Sequence, residues 1–241
     1  MLAKLFTSGK LIDLTHTLHP QVPTWDGSCG FHQSVKKGYS NSSTQTSFLN
    51  KNLEMPAGVG THMDAPCHCF KGAKSIADIA LEQLVLPLIV LDVSAKADAD
   101  YQIDIADIEA FEKMHGRIPP DTLVIGYTGW SRYWENPTQY RNPDKNGDLH
   151  FPIFHARVAK LLLERGVAGI AIDTLSPDLG IDGRYPVHEL FLGAGKYIVE
   201  NVNNVHLLSP TGAIGILLPL KIVDGSEAPV RFIAIVEEQL K

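Results

Sequence analysis

The stretch from Gly58 to Phe70, Gly-Val-Gly-Thr-His-Met-Asp-Ala-Pro-Cys-His-Cys-Phe, constrains this chain more than any other. Gly58, Gly60 and Pro66 argue against a helix, since glycine loses the most backbone freedom there and proline lacks the amide donor. Read as an extended segment, the side chains alternate between two faces. The even positions then place His62, Asp64 and His68 on one side. Same-face neighbours on a strand lie about 6–7 Å apart, so imidazole and carboxylate can converge on one ion. Taken singly, each histidine reads as a surface or hydrogen-bonded core residue. The three together, beside glycines that let backbone and solvent approach, point to a metal or catalytic site. Cys67 and Cys69 fall on the opposite face and are expected to be core cysteines; Cys-x-Cys without a second pair is a weak zinc signal.

Length and charge narrow the classes that remain. The 241 residues can bury one substantial core, and the whole chain, 1–241, reads as a single domain without repeats or linkers. Charged residues make up 20% and the net charge is −6, which argues against a nucleic-acid surface or a basic membrane patch. No window approaches the roughly 20 apolar residues of a membrane span. Met1–Phe6 does not begin a secretory signal, and three cysteines do not suit a closed disulfide framework, so a cytoplasmic protein is expected. There is no Gly-x-Ser-x-Gly elbow, phosphate loop or dinucleotide fingerprint.

Taken in order, Leu11–Leu18 alternates apolar and polar residues, as a half-buried strand does. Pro20, Pro23 and Gly27 then force a loop around Trp25, a candidate ligand wall or a ring folded over the core. Ser40–Ser47 is a polar bridge into the motif. Ser75 is placed to cap a helix over Ile76–Leu84, and Leu86–Val93 and Thr122–Tyr127 read as buried strands. Helices are predicted over Asp104–His115 and His155–Arg165, stopped by Gly116 and Gly166. Between them, Glu135–His150 is a polar surface excursion or lid. A strand over Val167–Ile172 and another over Lys196–Val202 follow, then two more between Leu217 and Glu237. On the Lys196–Val202 strand Glu200 shares a face with Ile198 and Val202. A carboxylate on an apolar face costs several kcal/mol, roughly, unless it is paired, metal-bound or at an edge that reaches solvent.

Gly60-Thr61-His62-Met63-Asp64-Ala65-Pro66-Cys67-His68 resembles the His-x-Gly-Thr-His-x-Asp-x-Pro-x-His signature of the cyclase-like metal hydrolases, a family that includes bacterial kynurenine formamidase and isatin hydrolase. The likeness extends over about residues 11–236 and is weakest across 28–50 and 135–150. It implies an α/β fold, a single mixed domain with a mainly β barrel-like core flanked by helices (swivelling β/β/α-like), and a homodimer or larger homo-oligomer. It implies metal ligation by His62, Asp64, His188 and Glu200, with Asp64 and Glu200 bridging, acid/base catalysis by His68 and substrate contact by Trp25. The implied activity is arylformamidase-like hydrolysis of N-formyl-L-kynurenine or of a cyclic amide such as isatin. A relative that kept the pocket without turnover is the rival reading, which retention of His68 opposes.

His and carboxylate ligands suit Zn²⁺ or Mn²⁺. One departure bears on how many such ions bind. The first histidine of the signature falls on Gly58, which has no side chain to ligate, so one or two metals per chain remain open. Glu54, four residues earlier on the same face of a regular strand, is the replacement the sequence suggests. Bringing position 58 onto the same ion as His62 requires a bend, and Gly60 is placed to allow it.

Overall fold

A computed structural model of the chain describes residues 9–39, 46–179 and 183–237. The readings made for Met1–Phe6 and for most of Ser40–Ser47 lie outside the described residues. The strands and helices run β1 (Gly9–Asp13), β2 (His32–Lys37), β3 (Asn50–Glu54), β4 (His62–Asp64), β5 (Val85–Asp92), β6 (Gln102–Ile103), α1 (Ile105–His115), β7 (Leu123–Tyr127), α2 (Pro137–Arg141), β8 (Ile153–Phe154), α3 (Ala156–Arg165), β9 (Gly169–Ile172), α4 (Pro186–Gly193), β10 (Tyr197–Glu200), β11 (Ile214–Pro219) and β12 (Glu227–Glu237).

The buried apolar runs become neighbouring strands. β5, β7, β9 and β10 pair in parallel, and β11, β12 and β4 complete the sheet antiparallel. The sheet order β1-β12-β11-β5-β7-β9-β10-β4, with β4 also paired to β12, closes a seven-stranded barrel and leaves β1 outside it. β12 makes closure possible by its length of eleven residues. One edge of it pairs with β11, while the other pairs with β4 near its start and with β1 near its end.

Alternation then sorts the side chains into two cores. Leu86, Leu88 and Val90 of β5 join Met63, Ile125, Val199 and Phe232 in one cluster, inside the barrel. Ile89 and Leu91 of the same strand join Val124, Ile170 and Ile198 on the outer surface, against Phe111 of α1, Leu162 of α3 and Phe191 of α4. Because both faces of these strands are covered, they read as apolar runs and not as alternation. Each such side chain, fully buried, contributes about 1.5–3 kcal/mol. The helices are punctuated as their ends require. Asp104 and Asp107 form a capping box at the start of α1, and Gly166 ends α3 at φ 77°.

Two expectations are corrected. Ile76–Leu84 is not one helix but two 3₁₀ turns, Ile76–Asp78 and Leu81–Gln83, with Ser75 and Asp78 forming the box at the first. A helix that short recovers few backbone hydrogen bonds for its nucleation cost. Here the Ile76 amide instead donates to the Gly225 carbonyl. The excursion over 135–150 is no free lid either, because it contains α2 and the fully buried Tyr140. The Tyr140 hydroxyl lies 3.0 Å from the Asp173 carbonyl and 2.9 Å from Asn201 Oδ1, which ties the excursion to the barrel. No helix among the described residues is long and apolar enough to cross a membrane.

Candidate metal centre

The motif does not continue as one strand. Only His62–Asp64 is extended as β4, and His68 arrives on a 3₁₀ turn, Pro66–His68. Pro66 at the start of that turn suits its fixed φ and its missing donor. Before β4 the chain bends at Gly60, whose φ of 65° lies in the left-handed region. Met63 points into the barrel, so His62 and Asp64 face outward beneath α4. Directly paired residues of antiparallel strands share a face. Register therefore brings Glu200 of β10 beside His62, and Glu227 of β12 beside Asp64. His188 completes the group from α4.

The polar atoms lie close to, and mostly a few tenths of an ångström beyond, the spacing that ligands of one ion adopt. His62 Nε2 is 3.5 Å from Asp64 Oδ1 and 3.2 Å from Glu200 Oε2. His188 Nε2 is 3.7 Å from Asp64 Oδ2 and 3.5 Å from Glu200 Oε1. Ligand atoms about 2.1 Å from a common ion lie roughly 3.0–3.4 Å apart. Asp64 is 1% exposed, and neither of its carboxylate oxygens has a hydrogen-bond partner. A bare buried carboxylate is costly to leave that way. Two trios, His62/Asp64/Glu227 and Asp64/His188/Glu200, each offer ligand atoms within 4.8 Å of one another. Nitrogen and carboxylate donors in this arrangement fit a divalent cation.

The surroundings fix how each ring presents itself. His188 Nδ1 is 2.9 Å from Asp178 Oδ2, and the same carboxylate accepts the backbone amides of Val187 and His188. That leaves Nε2 facing Asp64 and Glu200. His62 Nδ1 lies 2.9 Å from the Gly60 carbonyl, which also accepts the side-chain amide of Asn201. Such partners orient ligating imidazoles. Burial alone would lower the pKa of His62, but Asp64 and then Glu200 outweigh it and push the ring up to about 10. For His188, too, burial is overcome by Asp178, Asp64 and Glu200, and its pKa is raised. Burial would raise Glu200, yet His188 and His62 hold it well below the usual carboxylate range. Glu227 moves the other way, raised by burial and by Asp64. Four carboxylates, Asp64, Asp178, Glu200 and Glu227, thus surround two imidazoles, a field that favours positive charge. A proton and a metal ion compete for each ring, since a ligating imidazole must be neutral.

A cavity of about 270 Å³ opens onto this group and is bordered by Trp25, Gly58, His68, Leu175 and Tyr185. The Trp25 ring centroid is 6.3 Å from that of Tyr185 and 6.2 Å from that of Phe151. His68 stands at the rim, 34% exposed, with Nδ1 3.6 Å from Glu227 Oε2 and its ring 6.0 Å from that of His188. All six residues singled out in the sequence, Trp25, His62, Asp64, His68, His188 and Glu200, therefore converge on one cavity and its floor. Cys69 is corrected from core to exposed and borders the cavity, while Cys67 packs against the barrel interior. The 3₁₀ turn breaks the two-residue alternation on which that reading rested. Glu54 is also corrected as a replacement ligand. It is exposed on the β2–β3 ribbon, opposite His32, because the chain leaves β3 and loops before β4. The sequence reading missed Asp178, Asn201 and Glu227. For Glu227 a signal existed, an acidic residue opening an apolar strand. Asp178 and Asn201 gave none.

A family model described as a putative cyclase matches residues 12–179, so the chain belongs to the cyclase family. It is 30% identical over 188 residues to an isatin hydrolase of Roseibium aggregatum, covering 73% of this chain and 71% of the relative. It is 26% identical over 227 residues to a kynurenine formamidase of Bacillus cereus, covering 91% and 94%. The solved isatin hydrolase A from Ralstonia solanacearum superposes with a TM-score of 0.86 at 31% identity, covering 95% of this chain and 92% of that one. The barrel flanked by helices is thus the fold of an isatin hydrolase.

Proposed function

We propose that the chain is a metal-dependent hydrolase of amides whose nitrogen is carried by an aromatic ring. The observation that carries this reading is the placement of His68 beside the His62/Asp64/His188/Glu200 group, under a cavity walled by Trp25 and Tyr185. Divalent cation binding, Zn²⁺ or Mn²⁺, among those four residues would supply a Lewis acid and lower the pKa of a coordinated water to about 7. The protein's own groups do the remainder. Trp25 and Tyr185 stack against the aryl ring and hold its amide over the floor. His68, which touches the cavity without entering the metal trios, takes a proton from the attacking water. It returns that proton to the leaving nitrogen as the carbon–nitrogen bond breaks, so one water is consumed per amide opened.

Among the described residues that border the cavity there is no lysine or arginine. That favours a neutral cyclic amide such as isatin over an amino-acid substrate whose carboxylate needs a cation. The second reading, N-formyl-L-kynurenine hydrolysis, draws on the fuller coverage of the kynurenine formamidase. The test is a panel of aryl amides offered to chelator-stripped protein and to the same protein reloaded with Zn²⁺ or Mn²⁺. Turnover of isatin that disappears on stripping and returns on reloading is expected. A higher kcat/KM for N-formylkynurenine selects the second reading. Full activity in protein shown by elemental analysis to be metal-free, or none in the loaded protein, overturns the proposal.

A further inference from the structure

Position 58 borders the site without a side chain, and the structure puts another group in its place. An added Cβ at Gly58 would lie 3.2 Å from His62 Nε2 and would collide with Glu227 Oε1. Gly58 therefore points straight at a ligand nitrogen, and the space a side chain there would take is filled by a carboxylate from β12. Register explains how it gets there. Glu227 is the residue opposite Asp64 across the β4–β12 pair, so its side chain emerges on the metal-facing side.

We propose that Glu227 supplies from β12 the ligand that Gly58 cannot, so that the His62/Asp64 position can still hold its divalent ion. The inference rests on the metal-dependent reading above. Asp64 carries the second, independent observation. Its two buried oxygens lack hydrogen-bond partners and point in different directions, Oδ1 towards His62 and Oδ2 towards His188. Asp64 is also the residue common to the two trios, His62/Asp64/Glu227 and Asp64/His188/Glu200. Glu227 divides its own oxygens in a related way. Oε1 fills the space before Gly58, while Oε2 lies 3.6 Å from His68 Nδ1. One residue then ligates with one oxygen and orients His68 with the other. A side chain at 58 and the present position of Glu227 exclude each other, so the carboxylate of β12 stands where a side chain from the turn before β4 would stand.

Chelator-stripped protein is titrated with Mn²⁺ alone by calorimetry, with bound metal counted by elemental analysis. The expected result is two ions per chain in the unmodified protein and one in both Glu227→Ala and Glu227→Gln. The second variant keeps the shape of the side chain and so separates ligation from folding. Position 58 has no positive φ, and once Glu227 is truncated an added Cβ meets the His62 ring first, at 3.2 Å, so Gly58→His combined with Glu227→Ala should restore the second ion. One ion in the unmodified protein, two in both Glu227 variants, or one in the double variant overturns the inference and leaves the metal-dependent reading intact. No bound ion in the unmodified protein overturns that reading as well.

Discussion

The two halves of the site are built differently, although Asp64 belongs to both. On the helix side, His188 is braced by Asp178, whose carboxylate also receives two backbone amides at the start of α4, and Glu200 closes a fully buried strand. On the motif side, His62 leans on a single carbonyl, and the Glu227 side chain is 23% exposed. Gly58 opens the floor to the cavity, where His68 stands at the rim. Rigid carboxylate bracing holds an ion against loss, whereas an open side admits water and substrate. We read the helix side as the anchor and the motif side as the working face.

The largest effect expected from breaking this division is at His68. His68→Ala should lower kcat by about 10²- to 10⁴-fold, the usual contribution of a positioned acid/base group. Bound metal should stay unchanged, because neither trio includes His68. Elemental analysis beside turnover measures both. Metal lost in proportion to activity would make His68 a ligand and erase the distinction between anchor and working face.

A smaller effect tests the anchor. Asp178→Asn keeps the size of the side chain but weakens its hold on His188 Nδ1 and on the two amides. Affinity at the Asp64/His188/Glu200 position should fall by roughly 10- to 100-fold, as for other groups that orient a metal ligand. The His62/Asp64/Glu227 position should be little affected, since Asp178 touches none of its members. Calorimetric titration resolves the two. An equal loss at both positions would mean that the halves are one rigid unit.

Much of this was legible in the chain because apolar runs, caps and the motif are local signals. The buried runs over Leu86–Val93 and Thr122–Tyr127 became β5 and β7 because an apolar run of strand length needs only cover on both faces. Glu200 stood out as a carboxylate beside Ile198, and it is paired, as its burial requires. What could not be read was register. Nothing near Glu227 says that it will lie opposite Asp64, 163 positions earlier; only closure of the barrel through the long β12 does so. Extrapolating alternation past Pro66 misplaced Cys69 for the same reason, since a 3₁₀ turn has a period near three. Asp178 and Asn201 act through hydrogen bonds that form only after α4 and β10 are packed.

The smallest effect expected concerns the turn that feeds the working face. Gly60 sits at φ 65°, and its carbonyl both receives His62 Nδ1 and accepts the Asn201 amide. Alanine there pays about 1–2 kcal/mol for the left-handed backbone. Its Cβ would also collide with Leu18 Cδ2, the movable end of a side chain. Gly147 offers a control, with φ 92° and open space around it. Gly147→Ala should lose similar stability in thermal melts, a shift of a few degrees, without touching metal binding. If the turn aims His62, Gly60→Ala should in addition weaken the ion at the His62/Asp64/Glu227 position and spare the helix side. Should both glycine variants melt alike and bind metal as the unmodified protein does, His62 is held by β4 alone. The working face would then be as firmly built as the anchor.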